Sequence, residues 1–169
     1  MATSAHADDS APRLAKRVPL EPVKIRNVAN QGALVPYEAG TAPGTAVVMT
    51  KVWPRGQEWQ LEPAGAHQGV YTYKIENINA AGMCMTVIEP LPHDAFGYDT
   101  ELQPCTTPVN DSQQWILRYA LNDRHAYQII NADHLHRGLV PYTTATHHTG
   151  VKLRPLNNTT AFSWRFEVQ

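Results

Sequence analysis

Three tryptophans end three similar blocks of sequence, and this self-similarity constrains the fold more than any single residue does. Trp59 sits in Gln57-Glu58-Trp59-Gln60-Leu61, Trp115 in Gln113-Gln114-Trp115-Ile116-Leu117, and Trp164 in Phe162-Ser163-Trp164-Arg165-Phe166. Upstream of each lies an Ile-x-Asn step, at Ile25/Asn27, Ile75/Asn77 and Ile129/Asn131, with asparagine-to-tryptophan separations of 32, 38 and 33 positions. The tetrapeptide Leu-Val-Pro-Tyr occurs at 34–37 and again at 139–142, in corresponding places of the first and third blocks. A period of this length marks a chain made of copies of one supersecondary unit.

Within each copy, short apolar alternations are separated by turn residues. The first runs Val23-Lys24-Ile25-Arg26-Asn27-Val28, turns at Asn30-Gln31-Gly32 and resumes at Leu34. Thirteen prolines and ten glycines keep every segment short, which favours strands and turns over helices. Each copy reads strand, turn, strand, loop, strand, loop, strand. The expected fold class is therefore all-β, with three pseudo-symmetric four-stranded units over about 22–66, 67–122 and 123–169. A chain with so many strands must hide its sheet edges, and closure into a barrel does that. Trp59, Trp115 and Trp164 are then expected to fill a shared core, each indole N–H bonded nearby. Gln57 and Gln113 lie two residues earlier, on the same strand face as the tryptophan, placed to fix a turn through backbone hydrogen bonds. Residues 1–21 form a polar, Ala/Pro-rich tail, expected to be flexible and outside the core.

Charge and composition narrow the function. The formal charge is −1, and no basic stripe points to nucleic acid. No apolar run is long enough to span a membrane. Ala5-His6-Ala7 resembles the A-x-A end of a secretory signal, so residues 1–7 read as its remnant and the expectation is a secreted protein. Cys84 and Cys105, 21 residues apart, either form a disulfide worth roughly 3 kcal/mol or stay as two buried thiols. Their spacing excludes a CxxC metal or redox site. His134-x-His136 and His147-His148 have zinc-compatible spacing, but no cysteine lies near and the surroundings read as polar loop. No metal and no cofactor are expected. The chain has no G-x-S-x-G step, and Asp94, Asp99 and Glu101 read as a solvated acidic loop, so the expectation is not an enzyme. Sequons occur within Asn157-Asn158-Thr159-Thr160 and at Asn110-Asp111-Ser112.

Q-x-W near the end of the units, I-x-N at their start and G-x-C-hydrophobic between them resemble the ricin B-type lectin family. The resemblance covers about 22–169. The middle unit carries it best, through Ile75-Glu76-Asn77, Gly82-Met83-Cys84-Met85, Cys105 and Gln113-Gln114-Trp115. It implies a β-trefoil, a six-stranded barrel capped by three hairpins, and a Cys84–Cys105 bridge within one unit. It also implies carbohydrate binding, through an Asp directly after the G-x-C-L step. The positions matched to that Asp are Pro36, Thr86 and Pro141, and none is a carboxylate. The ordinary galactose site is thus expected to be absent from all three units, and any sugar site to be non-standard.

The candidate ligand residues are Thr86, Tyr98, Asp99, Asn110 and Gln113 in the middle unit, Tyr37, Trp53 and Gln57 in the first, and Tyr142 in the third. Aromatic platforms beside amide and carboxylate acceptors suit a sugar. The middle unit, with its cysteines and the Asn110-x-x-Gln113 spacing, is the favoured one. The expected partner is a glycan or glycoprotein. The rival readings are an adaptor or receptor-binding subunit of a secreted, toxin-like complex, docking through the N-terminal tail, and a trefoil protease inhibitor using the Glu89–Tyr98 loop.

Overall fold

The computed structural model describes residues 19, 21–52, 55–89, 97–121, 123–143 and 149–168. Twelve strands follow one another in three sets of four. The first set is β1 (Val23–Asn27), β2 (Ala33–Pro36), β3 (Val47–Thr50) and β4 (Glu58–His67). The second is β5 (Val70–Asn77), β6 (Met83–Ile88), β7 (Tyr98–Pro104) and β8 (Trp115–Ala120). The third is β9 (Asp123–Asn131), β10 (Arg137–Pro141), β11 (Thr149–Pro155) and β12 (Trp164–Val168). Single 3-10 turns at Tyr37–Ala39, Asp111–Gln113 and Thr160–Phe162 are the helical pieces among the described residues.

Six strands close into a ring. Antiparallel pairing runs β1 to β4, β4 to β5, β5 to β8, β8 to β9, β9 to β12, and β12 back to β1. No strand of this ring is left with an open edge, which is how an all-β chain avoids edge-to-edge association. The remaining strands form three hairpins, β2–β3, β6–β7 and β10–β11. These hairpins join one another over one end of the ring through β3–β11, β7–β11 and the Ala46–Glu101 bridge. This is the β-trefoil: barrel, cap and pseudo-threefold axis.

The repeated residues fall in layers around that axis. Trp59, Trp115 and Trp164 are fully buried, and their Nε1–H groups donate to the carbonyls of Leu34, Met85 and Leu139 at 2.9, 3.0 and 2.9 Å. Truncating a buried aromatic of this size costs on the order of 3–5 kcal/mol, so this layer is a large part of the core. Across the ladder each tryptophan faces an asparagine of the next unit: Asn77 opposite Trp59, Asn131 opposite Trp115, and Asn27 opposite Trp164. The asparagines are also buried, and each does the same two things. Its Nδ2 donates to the loop before the facing strand, at Gly56 O, Asp111 O or Ala161 O, 2.8–3.1 Å away. Its Oδ1 accepts the backbone N–H two residues on, from Ala29, Asn79 or Asp133, at 3.1 Å. A buried amide that saturates both ends of its carboxamide leaves no desolvation penalty unpaid. Two residues along, Leu61 faces Ile75, Leu117 faces Ile129 and Phe166 faces Ile25. At the ring end away from the cap, Tyr127 stacks between Tyr119 and Phe166 with centroids 5.0 and 4.9 Å apart.

A candidate ligand cleft in the third unit

The three hairpins can be aligned through the carbonyl that receives each indole N–H. Leu34, Met85 and Leu139 are equivalent, so Thr86 corresponds to Val35 and Val140. Pro36 and Pro141 correspond to Val87, not to Thr86, which corrects the sequence alignment by one residue. For Pro36 the cause is a turn of unequal length, since Asn27 is six residues from Ala33, whereas Asn77 is seven from Cys84 and Asn131 seven from Gly138; Pro141 follows Pro36 through the shared Leu-Val-Pro-Tyr. The position of the expected Asp is thus held by Val35, Thr86 and Val140, and the conclusion that it carries no carboxylate stands.

In the second unit this region is occupied by structure. Cys84 and Cys105 form a disulfide, with Cα atoms 5.0 Å apart. Gln113 is buried as the last residue of a 3-10 turn; it lies outside any strand, contrary to the sequence expectation. Its Nε2 donates to Thr86 Oγ1 at 3.0 Å and to Pro104 O at 2.9 Å, and its Oε1 accepts the Thr106 N–H at 2.9 Å. Thr86 in turn donates to Cys84 O at 3.0 Å. Both donors of the Gln113 amide are thereby used inside the protein. Asn110 is exposed beside it, with Oδ1 accepting from Ser112 Oγ at 2.8 Å. Gln57 is buried just before β4 and likewise off the strand.

Tyr98 and Asp99 belong to β7, but they reach the third unit rather than joining Thr86 and Gln113. Tyr98 packs on His134, ring centroids 4.1 Å apart, with the Arg137 guanidinium 4.9 Å from its ring. His134 is therefore half-buried against an aromatic ring and not a free loop histidine. Asp99 pairs with Lys152 at 2.9 Å. Tyr37 and Tyr142 are equivalent and both are exposed, at 44% and 38% of their surface. Trp53, His147, His148 and most of the Glu89–Tyr98 loop and N-terminal tail lie outside the described residues.

The third unit opens a cleft where the second is filled. It has a volume of about 610 Å³ and lies between the β10–β11 hairpin, the Thr160–Phe162 turn and the β1–β2 turn of the first unit. Tyr142, Thr143, Arg154, Asn157 and Phe162 line it, with Asn30 from across the unit boundary. Beside it Gly138 replaces Cys84 and Leu156 replaces Cys105, and Phe162, which lines the cleft, replaces Gln113. A Cβ on Gly138 would lie 2.5 Å from Leu156 Cδ2 and 3.1 Å from Phe162 Cδ1, so the two side chains close over the glycine. Apolar packing here does what the disulfide and amide network do in the second unit. Asn157 is held by its Oδ1, which accepts from the Thr159 N–H at 3.0 Å and Oγ1 at 2.6 Å. Along β11, Val151 and Leu153 are buried while Lys152 and Arg154 face outward. Their charges lie 5.3 and 5.4 Å from the Tyr142 ring centroid.

Of the sequence candidates among the described residues, only Tyr142 lines this cleft. Arg154, Asn157 and Asn30 were not singled out as ligand residues. The β11 alternation does signal the outward side of Arg154, and Asn157 was visible only as part of a sequon.

The chain is a β-trefoil, and its fold resembles that of ricin B-type lectins. It superposes on the designed threefold-symmetric protein ThreeFoil with TM-score 0.73 and 20% identity, over 88% of this chain and 99% of that one. It matches the Rhizoctonia solani agglutinin with TM-score 0.70 and 16% identity, over 92% and 99%. It matches a Macrolepiota procera ricin B-like lectin, solved with lactose, with TM-score 0.63 and 15% identity, over 92% and 100%. No family profile matches the chain, and no curated protein matches it by sequence. Among the described residues no helix is long and apolar enough to cross a membrane.

Proposed function

We propose that this protein is a secreted, non-catalytic carbohydrate-binding module whose site is the third-unit cleft. The observation that carries the reading is the exposed Tyr142 ring in the lining of a largely apolar cleft that also carries the amides of Asn30 and Asn157 and the hydroxyls of Thr143 and Thr159. A sugar presents an apolar face that can stack on such a ring and hydroxyls that amides can bond. The fold is shared with lectins, one of them solved with lactose, and the disulfide suits an oxidising compartment.

A glycan array tests this with the wild-type chain, Tyr142→Ala and Asn110→Ala. The expected result is binding that Tyr142→Ala abolishes and Asn110→Ala preserves. The reverse pattern returns the site to the second unit. Silence on the array, with co-purification of a partner protein, supports the adaptor-subunit reading.

A further inference from the structure

A smaller pocket of about 240 Å³ lies on the other side of the loop that walls the proposed cleft. Asn157, Thr159 and Ala161 line the cleft, whereas Asn158, Thr160 and Ser163 line this pocket, so the segment between β11 and β12 is their common wall. The β8–β9 turn, β9 and β12 complete the pocket, contributing Leu121, Gln128 and Arg165.

The threefold repeat accounts for the space. Tyr127 pairs with Trp164 as Tyr73 pairs with Trp115, so Ser163 stands in the place of Gln114 and Ala126 in that of Thr72. In the second unit the Gln114 carboxamide spans this region, accepting from Thr72 Oγ1 at 2.7 Å and donating to Val109 O at 2.9 Å. A serine is too short for that span, and an alanine offers it no partner.

Two buried polar side chains of the lining keep unused hydrogen-bonding capacity. Ser163 is only 6% exposed, and its Oγ makes no hydrogen bond among the described residues. No fully buried side-chain N or O atom among those residues lacks a partner, so this hydroxyl is open to the pocket. Gln128, 2% exposed, takes Arg118 Nε and Nη2 on its Oε1 and donates to Asn157 O at 3.3 Å. A carboxamide nitrogen carries two donors, and one is left.

The charges of the pocket cancel. Arg165 Nη2 donates to Asp123 Oδ2 at 2.7 Å, and these are the one base and the one acid among the described lining residues. A charged ligand would compete with that pair, whereas a neutral one leaves it whole. Sites for drug-sized ligands span roughly 300–1,000 Å³, so the volume suits one ring rather than a chain. Leu121, largely exposed at the rim, supplies an apolar flank. We infer that this pocket is a second ligand site, taking a single neutral hexose whose hydroxyls bond Ser163, Gln128 and Asn158 and whose C–H face lies on Leu121. The inference goes beyond the cleft and stands whether or not the cleft binds saccharide.

One ring held by a few hydrogen bonds binds with a Kd on the order of 1 mM, too weakly to survive the washing of an array. The test is therefore a two-dimensional amide NMR titration of the full chain with galactose, glucose and mannose in turn. At least one hexose should give saturable shifts at Leu121, Asn158, Thr160 and Ser163. Tyr142→Ala should leave them unchanged, which separates this pocket from the cleft. Ser163→Gln, which puts the second unit's residue into the pocket, should abolish them. Asn158→Ala, at an exposed position that the fold does not need, should weaken binding about fivefold, the size of one hydrogen bond. No saturable shift with any of the three hexoses, or shifts confined to the cleft residues, would overturn the inference, and the array result for the cleft would stand either way. Pocket shifts that persist unweakened in Asn158→Ala and Ser163→Gln would overturn it as well.

Discussion

Asn27 on the first strand lies directly across the ladder from Trp164 on the last, and its Nδ2 donates to Ala161 O at 2.8 Å. The same asparagine–tryptophan pairing joins the first unit to the second and the second to the third. Each joint links one unit to its neighbour, and the Asn27–Trp164 joint brings the two ends of the domain together. The repeat is thus a closed ring of mutually dependent units rather than three modules in series. None of the three can bury its own tryptophan layer alone.

Asn27→Ala should therefore destabilise the whole domain, by about 2 kcal/mol. It removes the buried carboxamide that donates to Ala161 O and accepts the Ala29 N–H, and leaves both part-buried partners without it. Urea unfolding should show one shifted transition in far-UV and tryptophan signals alike. Local loss of the first unit, with the other two still folded, would show that the joints act independently.

Gln113→Ala should lower stability by a similar amount, about 2 kcal/mol, because Thr86, Thr106 and Pro104 all lose their partner. Glycan binding per folded molecule should not change. Thermal melts and titrations on the same preparation separate the two effects.

Reduction of the Cys84–Cys105 disulfide should cost roughly 3 kcal/mol, from the loop of 21 residues that it closes. The second unit is the one stapled in this way, so the loss falls where the cleft is not. Melting with and without a reductant should show a lower Tm, and titration below that Tm should show unaltered ligand affinity.

Tyr127 makes a prediction at high pH. Burial, aided by its hydrogen bond and charge coupling to Tyr119, pushes its phenol up from 10.0 to about 12. The folded state thus holds this proton more tightly than the unfolded chain does. The resulting stability is fully present below pH 10 and is lost as the pH rises from 10 towards 12. Unfolding measured across that window should fall less steeply for Tyr127→Phe than for wild type. Phenolate absorbance of the wild type should show a late-titrating tyrosine that the variant lacks.

The fold was readable in the sequence because its determinants are repeated and local in pattern. Ile-x-Asn and the tryptophans sit in alternating strands, and any one copy would be weak evidence, whereas three in register specify closure. The site was not readable to the same degree. Tyr142 was found because Leu-Val-Pro-Tyr recurs, but Tyr98 and Asp99 were assigned to their own unit. The β7–β11 pairing carries them to the next one. Thr86 and Gln113 have sugar-compatible groups, yet a sequence cannot show that those groups already bond each other. Arg154 and Asn30 reach one cleft from different units, and only the closed ring puts them together.

The most direct test is a two-dimensional amide NMR titration of the full chain with a saccharide that the glycan array identifies. The account predicts shifts concentrated at Tyr142, Thr143, Arg154, Asn157 and Asn30, with Thr86 and Gln113 unmoved. Saturable shifts centred on Thr86, Asn110 and Gln113 instead, with the third-unit cleft silent, would contradict it.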